Sequence, residues 1–124
     1  MSTRCSIKFT DGTREQVTAL IFRHCDGYPE GEHGVPATLK RFFDAIEAEV
    51  PDDTRFGDST ALAARFVAWQ MREYAKPGQL FESAHVRVML EDSGDIEWVY
   101  YVHCQPSYHQ PRRPPVEWTE AEGY

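Results

Sequence analysis

The sequence predicts an α+β fold in which an antiparallel sheet of four to five strands carries two helices on one face, in the order ββααβββ. Two segments near the start and two between residues 84 and 104 alternate apolar and polar residues, as half-buried strands do. Two segments between them carry apolar residues at helical spacing, and clusters of glycine and proline separate the segments. Since 124 residues suit one domain, we expect an α+β domain over 1–104 and a Pro-rich C-terminal tail over 105–124.

The first two strands form a predicted hairpin. Residues 4–10 alternate, Asp11-Gly12 supplies a turn, and residues 15–23 continue as a second strand. Both faces of the second strand carry apolar groups near its end, which places that strand inside the sheet. The segment that follows Arg23 should therefore leave from an interior strand.

The two helices are bounded by proline, glycine and a capping residue. Pro36 suits the first turn of the first helix, and Pro51 ends it. Asp58 or Ser59 can cap the second helix, which should run to about Tyr74. The apolar residues of the two stripes are Leu39, Phe42, Phe43, Ile46 and Val50 in the first helix and Leu62, Phe66 and Trp69 in the second, which Val67 and Tyr74 can extend.

Later segments complete the sheet. Leu80-Phe81 suggests a short strand, residues 84–90 alternate, and residues 96–104 return as the last strong strand after a turn at 92–94. Prolines forbid regular helix in the tail. Residues 116–119 can dock there as an edge strand or clasp a second subunit, which would give a homodimer.

Composition excludes several classes of protein. The net charge of −7 argues against direct nucleic-acid binding, because neutralising phosphates needs a basic surface, but it permits a basic protein partner. No apolar run approaches the length of a membrane helix and no signal peptide is evident, so we expect a cytoplasmic protein. Three widely spaced cysteines, Cys5, Cys25 and Cys104, predict reduced thiols rather than a disulfide framework.

The segment from Arg23 to Gly34, here called the Arg23–Gly34 loop, concentrates the side-chain chemistry of the chain. One interpretation is a pocket in which Arg23 binds a phosphate or carboxylate at the N-terminus of the first helix. The other is an internally bonded loop, with Arg23 paired to Asp26. The predicted ligand-binding residues are Arg23, His24, Asp26 and Tyr28, together with Arg112 and Arg113, which can reach over the ligand from the tail.

The loop also carries a motif, Arg-His-x-Asp-Gly-Tyr-Pro-x-Gly, at residues 23–31. With the strand before it and the helix after it, the motif resembles a family of small proteins encoded by bacteriophages, prophages and bacteria. The similarity spans roughly residues 4–104, including Phe56-Gly57 before the second helix; Cys25 stands where an aromatic residue is expected. The resemblance brings no activity with it. It implies an accessory protein of phage type, and such proteins often counter host immunity.

Two weaker hypotheses involve metal binding and catalysis. His24, Cys25 and His33, joined by His103 or Cys104, would supply metal ligands, but their spacing matches no standard zinc motif. Cys25 with His24 or His33 would make a small hydrolase, yet no third group is evident to orient the pair. We therefore expect a non-enzymatic protein without cofactor or metal.

Acidic residues suggest a second mode of binding. Asp44, Glu47, Asp52 and Asp53 lie in the most acidic part of the chain and are the predicted protein-interaction residues. The preferred hypothesis is that the Arg23–Gly34 loop sequesters a small phosphorylated or nucleotide-derived immune signal. The alternative is an acidic inhibitor, like an anti-CRISPR protein, that docks on a host immune complex and blocks its access to nucleic acid.

Overall fold

A computed structural model describes residues 3–51, 55–79, 86–105 and 112–122 of the chain. In these ranges two helices and a five-stranded sheet follow one another in the predicted order ββααβββ, which confirms the α+β class. The elements are β1 (Cys5–Thr10), β2 (Val17–Arg23), α1 (Val35–Glu49), α2 (Ser59–Tyr74), β3 (Val86–Met89), β4 (Trp98–His103) and β5 (Val116–Glu120). The predicted short strand at Leu80-Phe81 lies outside the described residues.

The sheet is mixed, so the prediction of a fully antiparallel sheet was wrong. Its strand order is β3-β2-β1-β4-β5, and β1 pairs with β4 in parallel. The cause is the path of the chain after β3, which crosses the outer face of the sheet instead of turning back as a hairpin. Asp92 anchors this crossing by accepting hydrogen bonds from Ser6 Oγ at 2.6 Å and Lys8 Nζ at 2.8 Å. Local alternation predicts strands, but it does not specify which strands pair.

The main core lies between the helices and the opposite face of the sheet. Cys5, Ile7 and Phe9 of β1 are fully buried, as their alternation predicts. The ring of Phe9 lies 5.9 Å from that of Phe66 on α2, which in turn lies 5.3 Å from Phe42 on α1. Burying each such aromatic side chain stabilises the fold by about 1.5–3 kcal/mol.

Both helices begin and end where the sequence signals indicate. Pro36 occupies the first turn of α1, and the helix ends at Glu49, just before Pro51. Asp58 caps α2 by accepting from the backbone N–H groups of Thr60 and Ala61, both at 3.1 Å. Neither of these helices combines the length and the apolar character that crossing a bilayer requires.

The described part of the tail is built into the sheet. β5 pairs antiparallel with β4, with Tyr100 opposite Trp118. Its Glu117 accepts from Arg14 Nε at 2.9 Å and contacts His103 Nε2 at 2.7 Å. Of the two expectations for residues 116–119, docking as an edge strand is the one this chain adopts; the homodimer stays a prediction.

Candidate functional site: a buried arginine beside a cleft

Arg23 is the last residue of β2, and its side chain is fully buried. Its backbone pairs with Cys5 on one side and Val86 on the other, which fixes it between β1 and β3. Alternation along β2 directs Arg23 to the same face as Ile21, so the guanidinium enters the layer between sheet and helices. The predicted ligand-binding arginine is therefore in the interior and not on an open loop.

The guanidinium of Arg23 is only partly satisfied. Its Nη2 donates to Tyr74 Oη at 2.8 Å and, more weakly, to the carbonyl of His33 at 3.5 Å. Its Nε and Nη1 are buried with no acceptor among the described residues, and no described carboxylate forms an ion pair with it. The expected internal pair of Arg23 with Asp26 is not formed. Burying a cation without a counter-charge is strongly unfavourable, so this arrangement calls for an explanation.

The side chains of Asp26 and Tyr28 form a hydrogen bond with each other. Tyr28 Oη donates to Asp26 Oδ1 at 3.1 Å, and burial together with this bond raises the pKa of the Tyr28 phenol. Asp26 has a φ of 56°, which aspartate tolerates better than most residues. Both side chains are half-buried, and their pairing shapes the turn that leads out of β2.

Two glycines of the loop allow close backbone packing. A Cβ on Gly27 would lie 2.7 Å from the carbonyl oxygen of Thr3, and one on Gly34 would clash with the carbonyl oxygens of Glu30 and Tyr28. The carbonyl of Gly27 accepts a 2.7 Å hydrogen bond from the buried phenol of Tyr100, whose pKa burial raises far above its usual value. Much of the motif is therefore explained by how the loop packs against β1 and β4.

The N-terminus of α1 offers fewer free donors than expected. The N–H of Val35 already donates to the carbonyl of Tyr28 at 3.0 Å, and Pro36 has no N–H. The loop thus uses the helix terminus to close on itself. We assign no anion site to it.

His24 and Cys25 do not extend the site. His24 is exposed and lies with its ring 6.2 Å from that of Phe22, while Cys25 is half-buried. The residues that the structure describes contain no group of three or more His, Cys, Asp or Glu side chains suited to a metal ion. Cys5 and Cys104 are buried, and burial raises the pKa of each thiol to about 12, so both are protonated at neutral pH.

A cleft of about 360 Å³ opens beside the buried arginine, between the loop and the C-terminal half of α2. Arg23 does not itself line this cleft, but Tyr74 and His33, which accept hydrogen bonds from Arg23, both do. We call it the loop–helix cleft; it is lined by Glu32, His33, Arg41, Trp69, Gln70, Glu73 and Tyr74.

Gln70 is the residue of this cleft that sequence reasoning missed. It is 1% exposed, and neither its Nε2 nor its Oε1 has a partner among the residues described. A signal was present, since Gln70 follows Leu62 and Phe66 at intervals of four and so interrupts the buried stripe of α2.

The remaining predicted residues lie elsewhere. Arg113 hydrogen-bonds Asp44 and Glu47 on α1, and these bonds lower the pKa of both carboxyls. A predicted ligand cation and two predicted protein-contact anions are thus engaged with each other and do not line the loop–helix cleft. Arg112 is exposed beside a small hollow lined by Phe56 and His103. The predicted contact residues Asp52 and Asp53 lie outside the described residues.

Comparison with known proteins does not assign this chain to a family. No family model matches the chain, and neither a curated protein nor a solved structure matches it. The resemblance to phage-encoded proteins therefore stays a prediction, and function rests on the geometry of the site.

Proposed function

We propose that this protein is a non-enzymatic binding protein that sequesters a small phosphorylated compound at the loop–helix cleft. The observation that carries this proposal is the buried guanidinium of Arg23, which has unpaired N–H groups on Nε and Nη1 and no carboxylate partner among the described residues. The site lacks a negative charge and hydrogen-bond acceptors, and a phosphate supplies both.

The side chain of Arg23 is held in a fixed orientation, which favours tight binding of an anion. Nη2 is held by Tyr74 and the backbone of His33, so the plane of the guanidinium is fixed before a ligand arrives. Charge interactions are stronger in a buried site than at an exposed surface, because little water screens them. A pre-organised, desolvated cation therefore gives affinity for an anion at small entropic cost.

A binder of this kind acts in proportion to its own concentration. If the phage-type resemblance holds, withdrawing a phosphorylated signal would deprive a host immune effector of its activator. The acidic-inhibitor hypothesis gains no support from Asp44 and Glu47, because both already form ion pairs with Arg113, and Asp44 also pairs with Lys40.

The first test is native mass spectrometry of the protein purified from a bacterial host, followed by denaturation to release and identify bound compounds. We expect a phosphorylated compound on the wild type and on Arg87→Met, and none on Arg23→Met. Arg87 is the matched control because it is an exposed arginine on β3, the strand beside β2. Circular dichroism with thermal unfolding checks that both variants are folded.

Protein that purifies without a ligand is then titrated with inorganic phosphate and pyrophosphate. The readout is the fluorescence of a Trp98→Phe/Trp118→Phe protein, in which Trp69, which lines the cleft, is the remaining tryptophan. Arg23→Gln, which removes the positive charge and keeps a polar side chain, serves if Arg23→Met does not fold. Equal ligand occupancy in wild type and a folded Arg23 variant would overturn the proposal. So would a ligand-free wild type that responds to neither anion.

A further inference from the structure

The carboxamide of Gln70 needs hydrogen-bond partners that a phosphate alone does not provide. Gln70 lines the loop–helix cleft one helical turn before Tyr74, and both of its polar atoms are buried without a partner in the described part of the chain. Buried amides in folded proteins are nearly always hydrogen-bonded. An ionised phosphate oxygen can accept from Nε2, but it has no proton to give to Oε1. A ligand group that carries a donor beside an acceptor would satisfy both atoms of the carboxamide at once.

A nucleobase edge has this arrangement. Adenine presents an amino group next to a ring nitrogen, and a glutamine carboxamide pairs with both atoms in a bidentate manner. Guanine and uracil also carry an N–H beside an acceptor, so the carboxamide can recognise a base edge in more than one way.

The walls of the cleft fit a base as well as a phosphate. The volume of about 360 Å³ is far more than one phosphate needs and falls within the range of small-molecule sites. Trp69 and Tyr74 contribute aromatic side chains to the wall, and bases stack on such rings. Glu32 and Glu73 also line the cleft, against Arg41 as its lining arginine, and this excess of negative charge opposes a ligand with several phosphates.

We infer that the loop–helix cleft takes a nucleoside monophosphate, whose phosphate pairs with Arg23 and whose base edge pairs with Gln70. This inference rests on the proposed function, because Arg23 supplies the anion site in both. It goes further by assigning Gln70 as the residue that determines specificity and by limiting the ligand to a singly phosphorylated nucleoside.

The test is isothermal titration of the wild type and Gln70→Leu with inorganic phosphate, AMP, GMP, UMP and CMP. We expect at least one nucleotide to bind the wild type about tenfold or more tightly than phosphate. Gln70→Leu should remove that advantage and leave phosphate affinity within about twofold. Gln105→Leu is the matched control, since Gln105 is exposed and does not line the cleft.

Thermal unfolding of the ligand-free proteins separates this role from a structural one. Gln70→Leu should unfold at a higher temperature than the wild type, because it removes an unsatisfied buried amide. A lower melting temperature, or equal weakening of phosphate and nucleotide, would overturn the assignment of Gln70.

The titration also separates the two proposals. Phosphate binding that depends on Arg23, with no nucleotide bound more tightly, would overturn the nucleotide inference and leave the anion site standing. A wild type that binds neither phosphate nor any of the nucleotides would overturn both.

Discussion

The phenol of Tyr74 accepts a 2.8 Å hydrogen bond from Nη2 of Arg23, so the last residue of α2 is tied to the last residue of β2. The Arg23 guanidinium carbon also lies 5.7 Å from the centre of the Tyr74 ring. This contact joins the sheet to the wall of the loop–helix cleft. Tyr74 thereby holds the buried cation in the orientation that the proposed ligand meets.

Tyr74→Phe tests how much this contact stabilises the fold. The substitution keeps the ring but removes the acceptor from a buried charged donor, so we expect the free energy of unfolding to fall by about 1–3 kcal/mol. Urea unfolding gives the measurement. Tyr101→Phe is the matched control, because the phenol of Tyr101 has no hydrogen-bond partner within the described ranges, and it should change stability by less than about 0.5 kcal/mol. Equal effects of the two substitutions would contradict the role given to Tyr74.

Gly27→Ala tests the close packing of the loop. The added methyl group would lie 2.7 Å from the Thr3 carbonyl oxygen and 2.9 Å from Cys5 Cβ, and the paired strand leaves little room to move. We expect a loss of about 1–3 kcal/mol in the free energy of unfolding. A methyl group added at Gly94 would have no described atom within 4 Å, so Gly94→Ala should stay within about 0.5 kcal/mol of the wild type. A stable Gly27→Ala protein would show that the loop can shift away from β1.

Local patterns predicted the elements well, but long-range relationships escaped them. Helical spacing and proline positions located α1 and α2, because these signals act within a few residues. The parallel pairing of β1 with β4 depends on the path taken between β3 and β4, and no local pattern encodes it. The contact of Arg113 with Asp44 joins residues 69 positions apart and was equally hidden.

The candidate site was predicted in part. The chemistry of the loop identified Arg23 as important, and alternation along β2 places its side chain on the same apolar face as Ile21. That conflict between a buried position and a charged residue is the feature that marks the site. Gln70 gives the same signal on α2, a polar residue within an apolar stripe. Reading such violations of the pattern would have located the cleft more directly than the inventory of loop residues did.

Acid pH should weaken the docking of β5 on β4, because Glu117 then becomes protonated. Hydrogen bonds from Arg14 and His103 lower the pKa of Glu117 to about 2, below the ordinary value for glutamate of about 4.3. A lowered folded-state pKa gives stabilisation that is complete above the unfolded value and is lost as pH falls toward the folded one. Between pH 5 and pH 2.5, the urea midpoint of the wild type should therefore fall more steeply than that of Glu117→Gln.

The comparison with Glu117→Gln isolates this carboxyl, because the other carboxyls titrate in the same way in both proteins. Glu122→Gln removes the same charge from an exposed position nearby and should follow the wild type across the pH range. High salt should reduce the difference, since Glu117 and Arg14 are both partly exposed and their attraction is screened. Parallel pH profiles for wild type and Glu117→Gln would show that backbone pairing with β4 holds β5 without help from this ion pair.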